Sequence, residues 1–285
     1  MTYSINHQEK HSWQRASIGC KKIILCLCWF LHSFLSLHAD EVFQPEFYAF
    51  FNGMPERSYD DEAKLLKELG YDGISQIYGT GEQLEQRVTA YKKQNLKVLS
   101  IYLEATENAI DANLVKPLAD GGMIELTVAK ISPQVIDSIR LTAEMASRLK
   151  IRVVLYPHFG NAVATMPQAI EVIEKVNHPN LGVMFNLCHF LKSEKVEDLE
   201  NVLLKAKPHL FAVSINGADE NGQNWDTLIQ PLDQGNFPQR RLLGVLKKMH
   251  FKGPVCLQCY AVKGDKKTNL KKSIDAWETL LKELP

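Results

Sequence analysis

Eight short runs rich in β-branched and aromatic residues alternate with helical stretches, and this alternation constrains the fold more than any other feature of the chain. The predicted strands cover residues 46–51, 72–76, 97–103, 122–128, 152–158, 181–186, 210–216 and 254–260. Alternating β and α elements demand parallel strands joined by right-handed crossovers. Eight such units in about 240 residues predict a closed (β/α)8 TIM barrel of the α/β class. An open, doubly wound sheet is the competing architecture.

The first 39 residues have a different pattern from the rest. Lys21 and Lys22 precede an apolar run over 23–37, which is followed by "LHAD". This is the layout of a signal peptide that is cleaved after Ala39, so residues 40–285 are predicted to form a single barrel domain. We therefore expect an exported protein, periplasmic or secreted, without stable membrane insertion after cleavage. The apolar run is shorter than the roughly 20 residues of a membrane span, and an uncleaved anchor is the alternative.

Charge and cysteine content exclude several classes of protein. The chain has 33 basic and 33 acidic residues, and without residues 1–39 it keeps 29 basic and 32 acidic ones. A net charge near −3 argues against a nucleic-acid partner. Beyond residue 39 only Cys188, Cys256 and Cys259 remain, an odd number that does not suit a disulfide framework. Cys256 and Cys259 would face opposite sides of a strand, so their C-x-x-C spacing is not interpreted as a redox or metal pair.

The inward-facing residues of the predicted strands become polar toward the strand ends. On the fifth strand Val153 and Leu155 face the helices, which leaves Tyr156 and His158 inside. Barrels of this kind place their active sites at the C-terminal ends of the strands. The same alternation turns further polar side chains inward: Ser100, Tyr102, Glu125, Asn186, Ser214, Asn216, Gln258 and Tyr260. His189 is expected in the loop above Asn186.

Several stretches, in this order and at these spacings, resemble a known family. They are "ELGYDGIS", "LYPHFG", "LGVMFNLCH", "VSINGAD", "IQPLDQGNF" and "GPVCLQCY". The chain from residue 40 onward resembles the xylose isomerase-like TIM barrels, which include sugar isomerases, sugar epimerases and a DNA-repair endonuclease branch. The resemblance implies a divalent cation held by Glu, Asp, His and Glu at the ends of strands five to eight.

All four implied cation ligands are replaced in this chain. The matching positions hold Tyr156, Asn186, Ser214 and Gln258. Divalent ions prefer carboxylates or imidazole, and this set has no negative charge at neutral pH. We therefore predict that no residue here binds a metal and that no cofactor is required.

Two histidines that the resemblance places at the substrate are retained, namely His158 and His189. Together with the lone inward carboxylate of Glu125 they are the candidates for proton transfer. Each histidine could instead bond only a loop backbone. Glu125 could instead form a structural ion pair with Lys130, Arg152 or another cation.

The predicted substrate contacts are neutral polar or aromatic side chains: Tyr156, Asn186, Ser214, Asn216, Gln258, Tyr260 and Trp225. As a mutually bonded network, the amides and Ser214 would have no catalytic meaning. Trp225 lies on the long loop after strand seven and could stack on a sugar ring or hold that loop on the barrel. "YGTGE" after strand two is interpreted as a turn in which Thr80 or Gly81 caps a helix, rather than as a phosphate site.

These observations predict an exported, sugar-active isomerase, epimerase or lyase that transfers protons beside a sugar carbonyl without a metal. Its partner would be a small sugar or sugar derivative. The alternative is a catalytically inactive barrel that binds carbohydrate or another partner. The sequence does not predict the oligomeric state.

Overall fold

Nine parallel strand segments form one sheet in the computed structural model, which describes residues 42–284. The segments are β1 Phe47–Phe50, β2 Gly73–Ser75, β3 Lys97–Val98, β4 Ser100–Glu104, β5 Met123–Thr127, β6 Arg152–Leu155, β7 Leu181–Asn186, β8 Leu210–Ile215 and β9 Val255–Leu257. Their order across the sheet is β3-β2-β1-β9-β8-β7-β6-β5-β4. The predicted signal peptide lies outside the described residues.

The third predicted strand is divided into β3 and β4, but the two segments act as one barrel strand. Between them, Leu99 donates its N–H to the carbonyl oxygen of Ile74 at 2.8 Å and accepts from the N–H of Met123 at 2.8 Å. One residue therefore bonds to the strands on both sides. Tyr102 continues the pairing by donating to the carbonyl oxygen of Ile77. The (β/α)8 barrel is confirmed, and the open sheet is wrong.

The helices alternate with the strands as expected. Within residues 42–284 they are α1 Tyr59–Leu69, α2 Gly81–Lys93, α3 Ala112–Val115, α4 Pro133–Arg148, α5 Met166–Val176, α6 Leu187–Ser193, α7 Leu199–Ala206, α8 Trp225–Leu228, α9 Gln239–Lys248 and α10 Lys266–Lys282. Short 3-10 turns occur at Phe51–Gly53, Lys116–Leu118, Val196–Asp198 and Lys207–His209. None of the helices in this part of the chain has the length and apolar character that a membrane crossing requires.

Local sequence explains where these helices begin and end. The Ser58 hydroxyl accepts from the N–H of Asp61 at the start of α1, and Gly70, with φ of 95°, ends that helix. Glycine adopts this left-handed conformation without steric cost. Thr80 occupies the N-cap position of α2, although its side chain makes no capping bond. The interpretation of "YGTGE" as a helix start is therefore confirmed in position.

The core has two layers, as the strand alternation predicted. Val153, Leu155, Val183 and Phe185 pack against the helices in a large outer cluster. A smaller cluster fills the barrel interior and consists of Tyr48, Phe50, Leu99, Met123, Val154, Tyr156, Met184, Ala212 and Cys256. Cys259 packs on the outer cluster, so the two cysteines of the C-x-x-C spacing do face opposite layers. Because side chains fill the pore, it has no room for a ligand between the strands, and in barrels of this kind ligands bind at the C-terminal ends of the strands.

Several strands end earlier than predicted, so part of the predicted site lies on the loops that follow them. β6 ends at Leu155 and β9 at Leu257. One further backbone bond still holds each loop: Tyr156 donates to Leu126, and Gln258 donates to Ile215. The first residue after each strand is therefore fixed by the barrel.

The position expected for His189 needs correction, because this residue does not lie in a loop. The helix α6 begins at Leu187, directly after β7, and His189 is in its first turn. Phe190 packs on Phe185 of the strand, with ring centroids 5.2 Å apart. This contact packs the first turn of α6 against β7, from which the chain enters the helix without a loop.

The loop after β8 folds back over the C-terminal ends of the strands, which we call the mouth of the barrel. Gly217 and Gln230 form an antiparallel bridge, and Phe237 donates its N–H to the carbonyl oxygen of Ala218. A Cβ on Gly217 would lie 1.9 Å from the carbonyl oxygen of Pro231, so only glycine allows this close backbone approach. The fold of this loop brings α8 and its first residue, Trp225, to the mouth.

Substituting Gly217 tests how tightly this loop is packed. Gly217→Ala should lower the free energy of unfolding by about 1–3 kcal/mol, because backbone atoms must move to admit the methyl group. Gly244→Ala is the matched control: it lies within α9, and its new Cβ meets nothing within 4 Å. That control should raise the unfolding free energy by about 0.5–1 kcal/mol. Urea unfolding measures both, and a Gly217→Ala protein as stable as its parent would contradict the described loop.

Candidate active site

A cavity of about 400 Å³ opens at the mouth of the barrel. Its volume is within the range of small-molecule sites. The loops after β1, β2, β6, β8 and β9, together with strand β4 and helix α6, supply its lining: Asn52, Gln76, Tyr78, Tyr102, Tyr156, His158, Phe159, His189, Trp225, Ile229, Gln258 and Tyr260. The cavity is therefore built from aromatic rings, imidazoles and amides.

Aromatic rings contact one another in sequence around the cavity. Tyr78 meets Tyr102 edge-on at a centroid distance of 5.8 Å, and Tyr102 meets Tyr156 edge-on at 5.3 Å. Tyr156 in turn meets His189 at 5.8 Å, and His189 meets Trp225 at 5.3 Å. Edge-to-face pairs of this kind stabilise each ring in one orientation. Trp225 packs on His189 and also lines the cavity, so the two predicted roles, holding the loop on the barrel and stacking on a sugar ring, are compatible.

His158 and His189 form a pair with ring centroids 4.1 Å apart. The Nδ1 atom of His158 lies 2.8 Å from the carbonyl oxygen of Phe159, which can only accept, so this nitrogen carries the proton. The N–H of Phe159 donates to Nδ1 of His189 at 3.2 Å, so that nitrogen is unprotonated. In the neutral rings, the Nε2 atom of His158 is an acceptor and the Nε2–H of His189 is a donor.

The surroundings of both imidazoles keep them neutral. Burial lowers the pKa of His158 below its usual value. Burial, followed by the neighbouring His158, lowers the pKa of His189 to about 3. Both effects disfavour the imidazolium form. At neutral pH the cavity therefore holds one imidazole acceptor beside one imidazole donor, and neither is charged.

The side-chain amide of Gln258 is fixed in one orientation. Its Oε1 atom accepts from Asn52 Nδ2 at 2.8 Å and from the backbone N–H groups of Cys259 and Tyr260, each at 2.9 Å. A backbone N–H can only donate, so oxygen and nitrogen of this amide cannot be exchanged. The Nε2 atom consequently donates to the Tyr156 hydroxyl at 3.2 Å. Gln258 thus turns a hydrogen-bond donor toward Tyr156.

The carboxyl group of Glu125 lies inside the barrel and is fully buried. It accepts from the hydroxyls of Ser100 and Ser75 and from Gln76 Nε2, the last at 3.2 Å. Burial raises the pKa of Glu125 to about 7, and the three hydrogen bonds oppose that rise. The carboxyl group is therefore an acid that titrates near neutral pH.

Gln76 connects this buried acid with the cavity. Its backbone has a φ of 55°, which is the left-handed region that residues other than glycine seldom occupy. Its N–H donates to the Ser100 hydroxyl at 2.8 Å, and its side chain lines the cavity with Tyr156 and donates to Glu125 at 3.2 Å. A strained backbone held by several polar contacts is a frequent feature of functional sites.

The sequence profile of the xylose isomerase-like TIM barrels matches residues 121–280, which is more than half of the chain. The chain belongs to the xylose isomerase-like TIM barrel family. No relative was found among curated proteins.

Solved structures agree with this family at the level of the fold. The 3-keto-D-glucoside 4-epimerase YcjR from E. coli matches with a TM-score of 0.67 and 16% identity, over 83% of this chain and 99% of its own. D-Psicose 3-epimerase from Clostridium cellulolyticum H10, solved with D-tagatose, matches with a TM-score of 0.65 and 14% identity, over 84% of this chain and 99% of its own. The family 2 AP endonuclease from Brucella melitensis matches with a TM-score of 0.62 and 17% identity, over 80% of this chain and 97% of its own. Identities this low establish only the fold.

The positions at which the family resemblance implies a divalent cation do not suit one in this chain. Burial raises the pKa of the Tyr156 hydroxyl well above its usual value, so this group stays protonated. Gln258 uses its oxygen for three donors and offers only its nitrogen. Asn186 Nδ2 is a buried donor without a partner. Among residues 42–284, no group of three or more His, Cys, Asp or Glu is placed to hold a metal ion.

Six of the ten predicted site residues line the cavity: Tyr156, His158, His189, Trp225, Gln258 and Tyr260. The other four do not. Asn186 and Ser214 are paired in register inside the barrel and are buried. The amide of Asn216 donates to the carbonyl oxygens of Gly217 and Leu228, so it fixes the loop after β8 rather than facing a ligand.

Glu125 is the fourth predicted site residue that does not line the cavity. Its surroundings match neither of the two roles predicted for it, a proton-transfer residue in the cavity or a member of an ion pair. The expected ion pair is not its environment, because its bonds go to two serine hydroxyls and one amide. Arg152, one of the expected partners, is exposed at the opposite end of the strands and stacks over Phe211 at 4.4 Å. Lys130 is exposed as well. Glu125 reaches the cavity only through Gln76.

Residues from the first three barrel strands were missed as site residues. They include Asn52, Gln76 and Tyr78, whereas Tyr102 was expected to face inward but not to bind a ligand. Gln76 is the last residue of the second predicted strand, and Asn52 follows the first directly. Applying the strand-end rule to all eight strands would have identified both.

Two buried groups should give opposite dependences of stability on pH. The pKa of His189 is about 3 in the folded chain and near 6.5 unfolded, so only the unfolded chain takes up a proton between these values. His189 therefore lowers the unfolding free energy as the pH falls from 6.5. For Glu125 the folded pKa is about 7 against 4.5, so its contribution is lost as the pH rises from 4.5 to 7. Each slope reaches at most about 1.4 kcal/mol per pH unit.

Urea unfolding between pH 4 and pH 8 separates the two effects. Relative to the parent, His189→Gln should lose stability less steeply as the pH falls below 6.5. Glu125→Gln should gain relative stability as the pH rises from 4.5 to 7. Parallel pH profiles for all three proteins would contradict these buried states.

Proposed function

We propose that this protein is a sugar-active enzyme that moves a proton at the carbon next to a sugar carbonyl, without a divalent cation. One observation carries the proposal: the His158–His189 pair, with ring centroids 4.1 Å apart, combines an imidazole acceptor with an imidazole donor in one cavity. Enolisation needs a base for the carbon-bound proton and a donor for the carbonyl oxygen.

In the proposed reaction, Nε2 of His158 accepts the proton from the carbon. The electron pair of the broken C–H bond forms the C=C bond of an enolate, and the carbonyl oxygen gains the negative charge. The Nε2–H of His189 and the Nε2–H of Gln258 are neutral donors that can stabilise this oxygen. Delivery of a different proton to the opposite face of the enolate gives an epimer. Protonation of the former carbonyl carbon, together with transfer of the neighbouring hydroxyl proton to the former carbonyl oxygen, gives an isomer. Loss of a substituent from the enolate gives elimination instead.

Glu125 has a supporting role in this proposal. It is separated from the cavity by Gln76, whose amide it accepts at 3.2 Å. It therefore acts as a positioning residue that holds Gln76 in its left-handed conformation beside Tyr156. Asn186 and Ser214 likewise support the floor of the cavity from below instead of contacting the sugar.

The choice of sugar chemistry draws on the neighbours and on the charge of this chain. The epimerases named above act on a keto-glucoside and on D-psicose, and both have the same fold. The endonuclease branch shares the fold too, but residues 40–285 carry a net charge near −3, which does not suit a phosphate backbone.

The second candidate is an inactive barrel that binds carbohydrate. It is favoured by the loss of all four implied cation ligands at Tyr156, Asn186, Ser214 and Gln258. Such a protein would bind sugars in the same cavity without exchanging any carbon-bound proton with solvent.

Exchange in D₂O separates the two candidates. Aldoses, ketoses and keto-glycosides incubated with the parent protein should incorporate deuterium beside the carbonyl, measured by NMR. His158→Gln should lower this rate by about 10²–10⁴-fold, because the proton acceptor is lost. His209→Gln is the control: His209 ends the 3-10 turn before β8 and does not line the cavity, so this change should leave the rate unchanged. Sugar binding without exchange in the parent would favour the binder.

The rate of exchange should also depend on pH in a defined direction. Protonation of His158 removes its acceptor, and its pKa lies below 6.5. The kcat/KM of exchange should therefore remain constant from pH 8 to below 6.5 and decrease in more acidic solution. A rate that already falls between pH 8 and pH 7 would contradict His158 as the base.

We also propose that residues 1–39 direct export and are removed. N-terminal sequencing of the chain expressed in a bacterial host should find Asp40 as the first residue in the periplasmic or secreted fraction. An intact N-terminus in the membrane fraction would support the anchor instead.

A further inference from the structure

We infer that the cavity at the barrel mouth selects an uncharged sugar, without phosphate, carboxylate or amine. The inference rests on the proposed function, because it names the substrate class of the same site. It is carried by the charge of the lining residues, the positions of the cations around the cavity and the kinds of side chain that meet there.

No residue that lines the cavity carries a formal charge at neutral pH. Asn52, Gln76 and Gln258 supply amides, and Phe159 and Ile229 are apolar. The remaining lining residues are tyrosines, histidines and a tryptophan: Tyr78, Tyr102, Tyr156, Tyr260, His158, His189 and Trp225. Burial raises the pKa of the phenols at positions 78, 102 and 156 and lowers that of both imidazoles, so these groups remain neutral.

Two cations lie near residues of the lining, but neither belongs to the lining itself. The ammonium group of Lys192 lies over Phe159 and Trp225, 5.4 and 5.8 Å from the ring centroids, and donates to the carbonyl oxygen of Gln223 at 2.6 Å. Arg87 lies behind the cavity rather than in its lining. A phosphate bound among the lining residues would therefore lose its hydration without gaining an ion pair from any of them, which is costly.

Arg87 is neutralised by a buried partner. Its guanidinium group lies over the rings of Phe51 and Tyr59 and forms an ion pair with Glu62 at 3.3 Å. Both charged side chains of that pair are less than one tenth exposed.

The lining suits the two kinds of surface that a sugar ring presents. Amides and phenol hydroxyls can bond its hydroxyl groups, and the rings of Tyr78, Tyr102 and Trp225 can cover its C–H faces. An amine would find no carboxylate in the lining to pair with. An uncharged sugar is therefore the ligand whose groups can all be satisfied in this cavity.

Matched titrations test this selectivity. Trp225 lines the cavity, so its fluorescence can report binding, and Trp225→Phe identifies its share of the signal. The probes are D-glucose and D-fructose, the 6-phosphate of each, D-glucuronate and D-glucosamine. At least one of the two uncharged sugars should bind roughly tenfold or more tightly than its charged counterparts. Tighter binding of a charged probe, or no binding of either uncharged sugar, would overturn the inference.

A charge introduced at the rim gives a second test. Tyr260 is 58% exposed in the lining, and Tyr260→Lys should improve binding of the 6-phosphates roughly tenfold, because it supplies the missing cation. Leu204, 57% exposed on α7, provides the matched control Leu204→Lys, which should change nothing. Equal effects of the two lysines, or no effect of Tyr260→Lys, would contradict a lining whose neutrality sets the selectivity.

The two proposals fail in different ways. Preferred binding of a sugar phosphate that exchanges deuterium would contradict the uncharged ligand and leave the proton-transfer function intact. Preferred binding of an uncharged sugar without any exchange would contradict the function and leave the selectivity intact.

Discussion

The chemistry of the whole site depends on the orientation of one amide group. The oxygen of Gln258 accepts from the two backbone N–H groups that follow it and from Asn52, so its nitrogen must face Tyr156. At this position the family resemblance implies a carboxylate that coordinates a divalent cation. In this chain the same position presents a neutral donor, which suits an oxygen acceptor and offers no ligand atom to a cation.

The barrel also keeps the histidines above the floor of the cavity uncharged. Side chains fill the pore up to the ends of the strands, so His158 is half-buried and His189 is buried above that filled core, and both remain neutral. Their tautomers are set by the two backbone groups of Phe159, one accepting and one donating. A single loop residue thus gives His158 and His189 different roles, which suits acid–base chemistry without a charged group in the cavity.

The sequence predicted the barrel and the inward side chains well, because both follow from local periodicity along each strand. It was less successful beyond the strand ends. Asn52 and Gln258 meet across 206 residues, and the left-handed backbone of Gln76 depends on Ser100 from another strand. Asn216 was expected to face a ligand, yet it binds the backbone of a loop whose course only the folded chain defines. Long-range contacts of this kind have no local signature.

The central claim is that this site works through neutral hydrogen-bond donors in place of a bound cation. Isothermal titration of the purified protein with Mn²⁺, after dialysis against a chelator, tests it most directly. The account predicts no saturable binding at the barrel mouth, and the same protein, still without metal, should bind sugar. One equivalent of tightly bound Mn²⁺ that is lost in the His158→Gln and His189→Gln variants would contradict it.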